Sequence, residues 1–116
     1  MKIILGICGT PQGRNSKTFE LLSRALDASK KLGAETEIYV LSEMFDVKEI
    51  QQKLRENDGV IIATPVHWFN VPILIKRFID ECLWEFSGEP YEIEGKPVGI
   101  IAVCEEDGAN QAIVNI

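Results

Sequence analysis

Three short stretches of this chain are apolar without alternation: Ile3–Cys8 (IILGIC), Val60–Thr64 (VIIAT) and Val98–Val103 (VGIIAV). A strand that shows one face to water alternates apolar with polar residues, so a continuous apolar run belongs to a strand covered on both faces. Between the runs lie segments whose apolar residues recur at helical spacing. Strand and helix in strict alternation predict an α/β architecture: a parallel sheet with helices on both sides. Crossovers in such sheets are right-handed almost without exception. Ligands bind beyond the carboxyl ends of the strands, where the strand order reverses. The loops after the first, third and fourth strands are therefore the expected seat of any chemistry.

The helical segments have their own punctuation. From Ser16 to Leu32 the positions Leu22, Ala25, Leu26, Ser29 and Leu32 share one face, and Gly33 marks a stop. Thr36–Leu41 (TEIYVL) is rich in β-formers and reads as the second strand. Asp46 with Glu49 three residues on resembles a capping box, and Val47, Ile50 and Leu54 line the helix it opens, which runs to Asn57. Asn70 is placed to cap a third helix with Pro72 in its first turn, and Ile75, Phe78, Ile79, Cys82 and Leu83 form its apolar face. Residues Ser87 to Lys96 read as a polar loop, and Ala109–Ile116 as the start of a further helix.

Composition removes several function classes. The 116 residues suit one domain, spanning 1–116. A net charge of −6 excludes the basic footprint of a nucleic-acid binder and disfavours docking on anionic lipid. No apolar run approaches the roughly 20 residues of a membrane span, and Met1-Lys2-Ile3-Ile4 does not open a signal peptide. Cys8, Cys82 and Cys104 are odd in number and widely spaced, which predicts neither disulfides nor zinc and suits a reducing cytoplasm. His67 is the chain's one histidine and builds no metal site with scattered thiols.

The first loop, Gly9-Thr10-Pro11-Gln12-Gly13-Arg14-Asn15-Ser16-Lys17-Thr18, matches neither the dinucleotide pattern G-x-G-x-x-G nor the phosphate loop G-x-x-x-x-G-K-[ST]. It offers hydroxyls on Thr10, Ser16 and Thr18, the Asn15 amide, the Arg14 cation and the N–H groups of a helix start. That inventory suits a terminal phosphomonoester. An ordinary strand-to-helix turn capped by Asn15 or Ser16 is the competing reading. The second loop, Thr64-Pro65-Val66-His67-Trp68-Phe69-Asn70-Val71-Pro72, sets two large aromatics between prolines. These can lie against a flat ring, or simply pack the helix start. The third loop, Cys104 to Ala112, is small and polar, and suits either a heterocycle's edge or a solvated turn.

These residues resemble a known family, the flavodoxin-like NAD(P)H-dependent FMN reductases. Thr10, Arg14, Ser16 and Thr18 fit its first motif. Thr64-Pro65-Val66-His67-Trp68-Phe69 followed by Lys76-Arg77-Phe78-Ile79-Asp80 fits its second, so the likeness covers essentially the whole chain. It implies a three-layer sandwich with sheet order 2-1-3-4. It also implies an FMN phosphate held by Thr10, Arg14, Asn15, Ser16 and Thr18. The flavin ring is then expected beside Pro65, Val66, His67, Trp68 and Phe69, with Gly108 and Ala109 at its pyrimidine edge.

The implied reaction takes hydride from NADH or NADPH onto FMN and on to a small electron acceptor such as a quinone. It needs no catalytic side chain and no metal. An electron carrier without NAD(P)H activity and a non-catalytic fold are the alternatives. The sequence departs from the family in three respects. His67 replaces the usual aromatic, the cysteine cluster of a related iron–sulfur branch is missing, and the fifth strand is absent. The resemblance thus predicts a chain incomplete at its C-terminus, whose fourth strand is an open edge covered in a homo-oligomer.

Overall fold

The computed structural model describes residues 2–66, 72–83, 95–104, 113 and 116. Its elements run β1 (Ile3–Cys8), α1 (Lys17–Lys31), β2 (Glu35–Val40), α2 (Val47–Glu56), β3 (Gly59–Pro65), α3 (Ile73–Phe78) and β4 (Val98–Val103). A π-helical turn, Ile79–Leu83, continues α3. The four strands are parallel in the order β2-β1-β3-β4. Tyr39, Ile7, Ile62 and Ile100 stand side by side in one row across the sheet. This is the parallel α/β sheet that the alternating pattern predicted, in the flavodoxin-like strand order that the resemblance implied.

Period-2 geometry splits β1 between two cores. Leu5 and Ile7 point to the face covered by α2 and α3, where they pack with Ile50, Leu54, Ile62, Ile75, Phe78 and Cys82. Cys8 points to the opposite face and packs with Leu22 and Leu26 of α1. Removing a side chain such as Phe78 or Leu22 fully from water contributes about 1.5–3 kcal/mol. The runs over β1 and β3 are thus buried on both sides, as their composition requires.

Local chemistry sets the helix ends. The Ser16 hydroxyl caps α1 by accepting from the Phe19 N–H. At the other end Ala34 N–H donates to Ser29 O and Gly33 N–H to Lys30 O, with Gly33 at φ 95°. That pair of bonds closes the helix in a left-handed turn favourable to glycine. Lys96 ends α2 by giving Nζ hydrogens to the Leu54 and Arg55 carbonyls at 2.5 and 2.6 Å.

Several expectations are corrected. Leu32 does not belong to the α1 core face: it is 90% exposed, because the chain has already turned at the C-cap. Asp46 caps α2 through the Lys48 N–H, and the Glu49 carboxylate accepts from the Tyr39 hydroxyl, so the two do not form a reciprocal box. Helix α3 starts at Ile73 with Pro72 as its cap residue, later than a cap at Asn70 would set it. Pro72 fixes the extended-to-helix transition itself, since it lacks an N–H and holds φ near the helical value. The π turn, unforeseen in the sequence, leaves the Cys82 carbonyl to accept from Gln51 Nε2 of α2.

The Asn70 position and most of Ala109–Ile116 lie outside the described residues. Among those described, β4 ends the sheet, and Val98 is 55% exposed on it.

Candidate functional site

The order β2-β1-β3-β4 reverses direction between β1 and β3, which opens a crevice at their carboxyl ends. Two backbone bonds brace its floor. Gly9 N–H donates to Ala63 O and Leu41 N–H to Cys8 O, both at 2.9 Å. A Cβ on Gly9 would overlap Cδ1 and Cγ1 of Ile75, so glycine is what lets α3 press against the start of the turn. The Cys8 thiol lies buried at the strand end, and burial raises it above its ordinary value.

The turn from Thr10 to Ser16 is held by its own polar groups. Thr10 is buried; its carbonyl accepts from the Gly13 N–H at 3.1 Å and its Oγ1 from the Gln12 N–H at 3.3 Å. A threonine hydroxyl that accepts still keeps a hydrogen to donate. Gly13 sits at φ 64°, a left-handed position, and Ser42 Oγ stands 3.0 Å from where its Cβ would be. Ser16 Oγ donates to Gly13 O at 2.8 Å and accepts from Phe19 N–H at 3.1 Å. Its hydrogen is therefore already engaged in shaping the turn. Lys17 and Thr18 open α1, so their N–H groups have no carbonyl four residues back within the helix. Such a helix start favours an anion. Thr18 is buried on the side of α1 facing the sheet, whereas Asn15 is exposed.

Arg14 brings a partner that no motif announces. Its Nε and an Nη donate to the two carboxylate oxygens of Glu43 at 2.8 and 3.2 Å, and the guanidinium lies over the Phe19 ring, 5.4 Å from its centroid. Glu43 belongs to the loop after β2, tied back by its N–H to Val40 O. The hydrogen bond from Arg14 holds its carboxyl below the usual carboxylate range. Both side chains are about half exposed, so the pair is accessible to a competing anion. Only the fold reveals it, because 29 positions separate the two residues.

At the neighbouring strand end, Pro65 and Val66 are half-buried, and Val66 N–H donates to Val103 O at 3.0 Å. The structure thus brings Thr10, Arg14, Asn15, Ser16 and Thr18 to the same sheet edge as Pro65, Val66 and Cys104. His67, Trp68, Phe69, Gly108 and Ala109 lie outside the described residues. No group of three or more metal-ligating side chains occurs among the described residues.

A sequence model of the NADPH-dependent FMN reductases matches residues 1–115. The chain belongs to this family. An iron–sulfur flavoprotein of Methanocaldococcus jannaschii is 29% identical over an alignment 123 positions long that covers 89% of this chain and 62% of the relative. The structure of RosB with bound 8-demethyl-8-formylriboflavin-5'-phosphate superposes with a TM-score of 0.85 at 20% identity, covering 99% of this chain and 57% of RosB. An apo NADH:FMN oxidoreductase (EMOB) gives 0.82 at 21% identity, covering 99% and 65%. These two structures share the family's fold. The chain spans less than two thirds of the length of each of the three.

Proposed function

We propose that the chain binds FMN in the crevice between β1 and β3 and passes hydride from NADH or NADPH through it to a small acceptor such as a quinone. The observation that carries this reading is the turn from Thr10 to Thr18. At the sheet's reversal point it gathers a helix start, buried and half-buried hydroxyls and a guanidinium. A doubly charged phosphate needs many donors, and this turn supplies them. The apo EMOB relative is by name an NADH:FMN oxidoreductase, and RosB holds a flavin with a 5'-phosphate. Both agree with the reading.

The residues divide the work. The Lys17 and Thr18 N–H groups and the Thr10 and Thr18 hydroxyls would donate to phosphate oxygens. Ser16 fixes the turn through its two bonds, and Asn15 stands exposed at the rim. Arg14 would turn its free guanidinium hydrogens to the phosphate while the Phe19 ring holds its plane. Pro65 and Val66, with His67, Trp68 and Phe69, would flank the ring; Gly108 and Ala109 would meet its edge. FMN supplies the hydride chemistry itself, and the protein orients it and keeps water from it.

The test is direct. FMN added to the purified protein should give the yellow spectrum of bound oxidised flavin, and NADH or NADPH should then be consumed when a quinone is present. Protein that stays colourless at saturating FMN would overturn the proposal.

A further inference from the structure

A hydride donor has to meet the flavin at the carboxyl ends of the strands, so the charges around that end bear on which dinucleotide binds. All 12 lysines and arginines of the chain fall within the described residues, while Glu105, Glu106 and Asp107 follow β4 in the sequence. The cations placed towards the carboxyl end are Arg14 in the first loop, Lys17 and Lys48 at helix starts, and Lys76 and Arg77 in the short α3. The others stand deeper along α1 and α2 or at the amino end of the sheet. Each cation towards the carboxyl end has a carboxylate beside it. Arg14 is held by Glu43. Lys17 reaches Glu20 at 3.1 Å, Lys76 reaches Asp80 at 2.9 Å and Arg77 reaches Glu81 at 3.0 Å. Lys48 follows Asp46, whose carboxylate accepts from the Lys48 N–H at 2.9 Å.

We propose that these pairs make the chain selective for NADH over NADPH. This selectivity rests on the flavin chemistry proposed above and specifies its donor. NADPH differs from NADH by a phosphomonoester on the adenosine ribose, which adds about 1.5–2 negative charges at pH 7. Arginine is the side chain best shaped to hold such a group. Both arginines at this end already give Nε hydrogens to carboxylates, Glu43 and Glu81. With FMN bound, Arg14 and the start of α1 face the flavin phosphate, and Asp46 occupies the start of α2. A second phosphate would have to displace a carboxylate, against a net charge of −6. NADH offers a ribose 2'-hydroxyl in its place, which donates a hydrogen to a carboxylate and gains from it. The family is described by NADPH, so the preference is a property of this chain's own ion pairs.

The experiment loads the purified chain with FMN and follows oxidation of each donor at a saturating quinone. At low ionic strength kcat/KM for NADH should exceed that for NADPH about tenfold, and added salt should narrow the gap by raising the NADPH value. Titration with NAD+ and NADP+, read from protein and flavin fluorescence, should rank the two in the same order. Glu20→Gln, Asp80→Asn and Glu81→Gln together release Lys17, Lys76 and Arg77. This triple variant should raise kcat/KM for NADPH several-fold and leave NADH nearly unchanged. Equal use of the two donors by the wild type, or a triple variant with an unaltered ratio, would overturn the proposal. Yellow protein that prefers NADPH would remove this selectivity alone. Yellow protein that oxidises neither donor would remove the proposed function together with it.

Discussion

At the scale of single residues, the decisive side chains are Arg14, Ser16 and Glu43. Replacing Arg14 and Ser16 together by alanine removes a cation and loosens the turn that aims the helix start. A charge-assisted bond is worth about 1.5–3 kcal/mol, so FMN affinity should fall roughly 10- to 150-fold while riboflavin, which lacks the phosphate, changes little. Fluorescence titration with the two flavins checks this, and equal losses would remove the phosphate from the turn. Ser16→Ala alone should also lower stability by about 1 kcal/mol, read from urea unfolding, because the Phe19 N–H loses its cap.

Glu43 carries the opposite expectation. Its carboxylate competes with any anion for Arg14 and repels a phosphate nearby. Glu43→Gln should therefore tighten FMN a few-fold and leave riboflavin unmoved. A weakened FMN complex would instead make Glu43 the residue that orients the guanidinium.

At the scale of elements, β1, β3 and α3 converge on Gly9. A methyl there would meet Ile75 Cδ1 and Cγ1 in α3, where core atoms have little room to move. Gly9→Ala should cost about 1–3 kcal/mol, the usual range for overpacking, measured by chemical denaturation. Adding Ile75→Val takes away Cδ1 and should restore part of the loss. Additive effects in the double variant would mean that the two elements are not in contact there. The α3 region holds a feature that its spacing does not announce. Its apolar positions fit an α-helix, yet the chain passes into a π turn at Ile79 with Cys82 still fully buried and tied to Gln51. Spacing alone cannot distinguish the two, because the choice depends on what α2 presents on the other side.

At the scale of the whole molecule, burial couples the fold to pH. The Cys82 thiol is pushed up to about 11, first by burial and then by the Glu81 charge. In the unfolded chain it ionises near its ordinary value of 9.0, so between these values the unfolded state binds fewer protons than the folded one. Its contribution to stability is complete below pH 9 and is lost as pH climbs towards 11. Urea midpoints of the wild type should decline across that window more steeply than those of Cys82→Ala. Parallel slopes would show that the thiol is not shielded in the folded protein.

The sequence alone sufficed for the order of the described elements, the parallel sheet and the helix stop at Gly33, and it narrowed the cap of α1 to Asn15 or Ser16. Each follows from rules acting over a few residues: apolar period, φ preference, and a hydroxyl within reach of an amide. The likeness of two short motifs extended this to the family, which the match over residues 1–115 establishes. Tertiary structure decided what these rules do not reach. It joined Arg14 to Glu43, pressed Ile75 onto Gly9, turned Leu32 into solvent and left Asn57 Nδ2 facing no partner. All but the second of these depend on polar groups or exposed ends, whose surroundings are set by residues distant in the chain. Gly9 depends on how closely two elements approach, and that distance is fixed only when the whole core packs.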